Sequence, residues 1–183
     1  MLSAKEAPAP ERPSLGRKAS AEEIARWELT VTADGEGLPA GSGSAAQGAM
    51  VFAERCQACH GENGAGGPAD RLTGGVGSLA GSQPIRTPAS YWPYAPPLFD
   101  YIRRAMPHDA PQSLTADQTY AVVAYLLSVD GVVRPDAVLD ATSLRKVVMP
   151  NRDGFVSLEA RGFDGNLERI AGAPAPIPRA IRR

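Results

Sequence analysis

The chain has 183 residues, enough for one domain of ordinary size with substantial flanking segments. Its 19 Lys and Arg against 20 Asp and Glu leave a net charge of −1, without the basic excess or stripe of a nucleic-acid binder. Glycine (19) and proline (17) are abundant, so loops must form much of the fold, and no run of 18 apolar residues exists to span a membrane.

Residues 1–44 read as an extended arm with one short helix. Pro8, Pro10 and Pro13 sit among charges at its start, and the opening Met1-Leu2-Ser3-Ala4-Lys5-Glu6 lacks the apolar core of a secretory signal. Ser20 and Glu23 stand in capping-box spacing before Ile24 and Trp27, which predicts the helix. Leu29–Thr32 is β-branched and brief, a candidate strand; Gly35, Gly37, Pro39, Gly41 and Gly43 then interrupt any regular structure.

Residues 45–131 read as the central domain. A helix over 45–55 runs directly into Cys56, and Met50 within it is expected to pack in the core. Residues 61–97 are too rich in Gly and Pro for more than short turns. Leu98, Tyr101, Ile102 and Ala105 fall at helical spacing. Thr115, with Gln118 three positions on, opens the clearest helix, with an apolar stripe at Val122, Val123, Leu126 and Leu127; Gly131 ends it. Residues 132–183 show only weak short segments and read as an irregular extension.

The chemistry concentrates at Cys56-Gln57-Ala58-Cys59-His60, the C-x-x-C-H pattern of haem c attachment. Two cysteines three apart at a helix end reach the two vinyl positions on one porphyrin edge, and the adjoining His60 supplies an imidazole to the iron. A zinc half-site or a thioredoxin-like redox pair uses the same C-x-x-C. The first finds no further cysteine here and only His108 as a partner, and the second lacks a surrounding βαβ pattern. The sixth iron ligand is expected from Met106, which follows a helix and is stiffened by Pro107; Met149, also followed by proline, and His108 are the other candidates. Two closed axial positions favour a carrier over a catalyst.

These features resemble the class I cytochromes c, a mainly α fold. Gly48 and Phe52 on the first domain helix, with Val122 and Tyr125 on the last, match that family's helix-crossing positions. A closer resemblance rests on several strings: 21–27, 37–43, Ser90-Tyr91-Trp92-Pro93-Tyr94-Ala95, 98–107, 110–115, and Met149-Pro150-Asn151-Arg152-Asp153-Gly154-Phe155. Together they are similar to the cytochrome subunit of bacterial sulfane/sulfite dehydrogenase, the Sox D-type cytochrome. The resemblance implies one covalent haem c and a periplasmic location. It also implies a molybdenum-cofactor sulfite/sulfane dehydrogenase subunit as electron donor and a downstream cytochrome c as acceptor. On that expectation the chain is not catalytic by itself, Met106 falls in the family's ligand string, and residues 132–183 wrap the partner. Trp92 and Tyr91 are candidate donors to the haem propionates, and Arg103 or Arg104 a candidate countercharge. A free-standing periplasmic shuttle and a haem enzyme with a displaceable axial ligand are the competing functions.

Overall fold

The structure, a computed structural model, describes residues 16–155; the outer parts of both flanking segments lie outside it. The architecture is mainly α. Helix α1 (Ala21–Trp27) is opened by the expected Ser20/Glu23 capping box, yet Ile24 is exposed and Trp27 is 86% exposed. No strand forms over Leu29–Thr32. The chain instead doubles back on itself, and at Gly37 (φ +86°) an added Cβ would stand 2.1 Å from the Thr30 carbonyl oxygen. The segment is still anchored, because Val31 is buried and its N–H donates to Asp100 Oδ1 at 2.9 Å.

The first strand comes later. β1 (Ser42–Ser44) pairs antiparallel with β2 (Val138–Asp140), with Gly43 opposite Leu139. Strands this short carry too little alternation to be read from sequence. Gly43 allows the ribbon to lie directly on a helix, since a Cβ there would meet the Ala121 backbone nitrogen at 2.3 Å.

Helix α2 (Ala45–Arg55) begins at a Ser44/Gln47 capping box and packs chiefly on α6 (Ala116–Val129), which begins at the Thr115/Gln118 box. They cross where Gly48 meets Ala121 and Tyr125: a Cβ on Gly48 would be 1.9 Å from the Ala121 carbonyl oxygen. The Phe52 and Tyr125 rings lie beside this crossing, centroids 5.2 Å apart. Ala45, Gly48 and Phe52 are the buried positions of α2. Met50, expected in the core, falls between them on the opposite face and is 67% exposed. Between these two helices run α3 (Gln57–His60), α4 (Pro88–Tyr91) and α5 (Pro96–Ala105). Phe99 of α5 packs on Tyr120 of α6 at 4.4 Å between centroids, and the Tyr120 hydroxyl donates to the Pro39 carbonyl at 2.8 Å.

Residues 132–155 are more ordered than their sequence suggests. After β2 comes α7 (Ala141–Arg145), capped by the Asp140 carboxylate on the Thr142 and Ser143 N–H groups. Leu139, Leu144 and Met149 are buried in the same apolar core as Phe52 and Phe99. Burying each such side chain contributes about 1.5–3 kcal/mol, so this stretch belongs to the domain. Among the described residues no helix is long and apolar enough to cross a membrane.

Candidate haem-attachment site

Cys56 caps the C-terminus of α2 and also starts α3, with φ −127° and ψ −35° turning the chain between them. One helical turn then carries Cys59 and His60, whose N–H groups both return to the Cys56 carbonyl, at 3.1 and 3.0 Å. Residues three and four apart share a helix face, so Cys56, Cys59 and His60 are presented together. Cys56 packs against the core while Cys59 is exposed; neither is in a disulfide. Burial pushes the Cys56 thiol up to about 11. Such a thiol is a poor thiolate, contrary to what a thioredoxin-like nucleophile needs. Among the described residues no group of three or more His, Cys, Asp and Glu is placed to hold a metal ion.

A tight loop follows and folds back under the motif. Gly61 (φ +75°) reverses the chain, and a Cβ there would stand 2.2 Å from the Gly66 carbonyl oxygen. Gly66 and Ala69 donate their N–H groups to the carbonyls of His60 and Cys59 at 2.8 and 2.9 Å. This return brings the Asp70 carbonyl oxygen to 2.7 Å from His60 Nδ1. A carbonyl can only accept, so Nδ1 carries the proton, and in the neutral ring Nε2 holds the lone pair that an iron would take. The sequence offered no sign of this acceptor, because a backbone carbonyl has no residue-type signature.

The other expected site residues come from different elements onto one apolar cluster. Met106 caps α5 and, like Trp92, Leu72 and Cys56, is partly buried against the core. Trp92 follows α4 and meets the Tyr101 ring edge-on at 6.2 Å. Of the two candidate arginines, Arg104 is engaged by Asp100, which leaves Arg103 available. His108 is exposed. Met149, the alternative ligand, is only 1% exposed and buried in the core.

The string that begins at Met149 acquires a structural role. Asn151 Nδ2 donates to the Tyr91 carbonyl at 2.6 Å, the Arg152 guanidinium lies over the Tyr94 ring at 4.3 Å, and Phe155 meets Tyr91 edge-on at 5.3 Å. Residues 149–155 therefore clamp the loop that carries Trp92. The sequence marked both strings as distinctive but gave no sign that they touch.

A family model described as "Cytochrome c" matches residues 45–130. Among solved structures, a chain of the sulfane dehydrogenase SoxCD from Paracoccus pantotrophus is 38% identical, with a TM-score of 0.78 over 94% of this chain and 84% of that one. Among curated proteins no match is found.

Proposed function

From the premise that the chain belongs to the cytochrome c family, we propose that it is the electron-transfer subunit of a molybdenum-dependent sulfite or sulfane dehydrogenase in the bacterial periplasm. Covalent haem c is the family's cofactor, and Cys56 and Cys59 are its attachment motif. The residues present fit that group: two cysteines share one face of a turn, and the adjoining imidazole keeps Nε2 free toward it. When bound, haem c supplies a one-electron couple between ferric and ferrous iron. In this reading His60 binds the iron through Nε2 while Asp70 holds its other nitrogen protonated. Met106 would supply a thioether ligand, and Trp92, held by the 149–155 clamp, would donate a hydrogen bond to a propionate.

His/Met ligation leaves no position at the iron for substrate, which favours transfer over catalysis. Electrons would arrive from the partner's molybdenum centre and leave to another cytochrome c. The observation that carries the reading is the His60–Asp70 pair beneath an attachment motif. What favours a subunit over a free shuttle is the extent of the SoxCD likeness, which runs over 94% of the chain and far outside residues 45–130. Trp27, 86% exposed, and Val148, 75% exposed, are apolar side chains that a partner would cover.

The test is purification of the native protein from the periplasm. The expected result is a complex containing molybdenum, whose haem band shifts to the reduced form when sulfite or a protein-bound sulfane is added. A monomer reduced only by unrelated donors would favour the shuttle. In the same protein Met106→Ala is expected to abolish the long-wavelength absorption of methionine–iron coordination. Survival of that absorption would remove Met106 from the ligand set.

A further inference from the structure

The iron's histidine is only as well oriented as the loop that holds its second nitrogen, and that loop is itself tied down from α6. Asn63 stands three residues after His60 at φ +54° and ψ +17°, a left-handed conformation that needs support. Its backbone oxygen accepts from the Thr73 hydroxyl at 2.8 Å. Its side-chain Oδ1 accepts from the Tyr125 hydroxyl at 2.8 Å. Next to it, the Gly64 carbonyl takes the N–H groups of Leu72 and Thr73 at 2.7 and 3.2 Å, and Arg71 Nη2 donates to the Ala65 carbonyl at 3.2 Å. Residues 71–73 are thus pinned to residues 63–65, and Asp70, whose carbonyl accepts from His60, immediately precedes them.

The anchor at the far end is rigid. Tyr125 lies at the α2–α6 crossing, against Phe52, and its Cβ is 2.7 Å from where a Cβ on Gly48 would stand. Burial, with the Glu62 charge second, holds its hydroxyl above the usual tyrosine range, so it stays a protonated donor. The ring needs only its faces to serve this packing. The hydroxyl reaches past the core to the loop.

We propose that Tyr125 and Asn63 are positioning residues for the iron's histidine ligand: the hydroxyl, through the Asn63 side chain, holds the 62–73 loop in the register that keeps the Asp70 carbonyl on His60 Nδ1. This rests on the reading of His60 as the ligand. A firm acceptor at Nδ1 makes the imidazole a stronger electron donor and favours ferric iron, because partners of this kind raise ligand basicity. The helix crossing, a packing feature, thereby takes part in setting the reduction potential.

The test uses the haem-loaded full chain. Tyr125→Phe keeps the ring and removes the donor; Asn63→Gly removes the acceptor and suits the positive φ. Each is expected to retain covalent haem and to raise the midpoint potential in spectroelectrochemical titration. The His60 Nδ1 proton should exchange with solvent faster by about fivefold, the effect of losing one neutral hydrogen bond on loop opening. The double variant is expected to shift no further than either single one, because both break one link. Unchanged potential and exchange in haem-bearing Tyr125→Phe would overturn the proposal, and so would additive shifts in the double variant. Failure of the wild-type chain to attach haem would instead overturn the functional reading beneath it.

Discussion

At Gly48 a single hydrogen atom decides whether two helices can meet. A Cβ there would overlap the Ala121 carbonyl oxygen and crowd the Tyr125 Cβ, and neither atom is the far end of a flexible side chain. Gly48→Ala should therefore cost stability although it improves helix propensity. Overpacking of this kind costs roughly 1–3 kcal/mol, against a gain of about 1 kcal/mol for removing a helical glycine. A lowered urea midpoint with unchanged haem content is the expected result; an unchanged or raised midpoint would mean that the crossing can open. This residue was legible through the resemblance to the class I cytochromes c, and in the structure Ala45, Gly48 and Phe52 share one buried face. The same spacing puts Met50 on the other face, so its exposure follows from the pattern and not from its chemistry. Cys56, Cys59 and His60 were legible for a different reason, as a spacing that covalent attachment itself demands. The Asp70 carbonyl and the Tyr125–Asn63 link were not, since each depends on where a glycine-rich loop returns.

Among the elements, those marked by capping boxes agree with expectation: α1 and α6 begin at the Ser and Thr that predict them, and α2 fills the range 45–55 expected for it from a cap that only the structure shows. Helix α7 and the β1–β2 ribbon escaped because they span five and three residues and owe their form to the surface they cover. Their covering is what makes Met149 matter. It closes the core behind α7, and the clamp on Tyr91 and Tyr94 starts two residues later. Met149→Ala is expected to lower stability by about 2–5 kcal/mol, as truncation of a buried methionine does. The methionine–iron absorption should persist as long as the protein stays folded. Loss of that absorption in the folded variant would transfer the ligand role from Met106 to Met149.

For the whole molecule, the residues after 131 do not stand apart from the central helices, because Leu139, Leu144 and Met149 share their core and the 149–155 clamp holds the loop before α5. Residues 156–183, the remainder of the segment expected to wrap the partner, lie outside the described residues. A chain ending at residue 155 should melt within a few degrees of the full chain and keep its haem. It should also bind the molybdenum subunit more weakly in a pull-down. Equal binding would place the contact on the described surface, where Trp27 and Val148 are exposed.

The pairing of Ser42–Ser44 with Val138–Asp140 has a mechanical meaning. One strand leads into α2, which ends at the attachment motif, and the other follows α6, so the outer ends of the two crossing helices are stitched to each other. The ribbon ties the residue preceding α2 to the segment that follows α6, so neither helix can hinge away where its strand joins it. In the proposed complex, motion of the attachment site would therefore have to come from outside the β1–β2 ribbon.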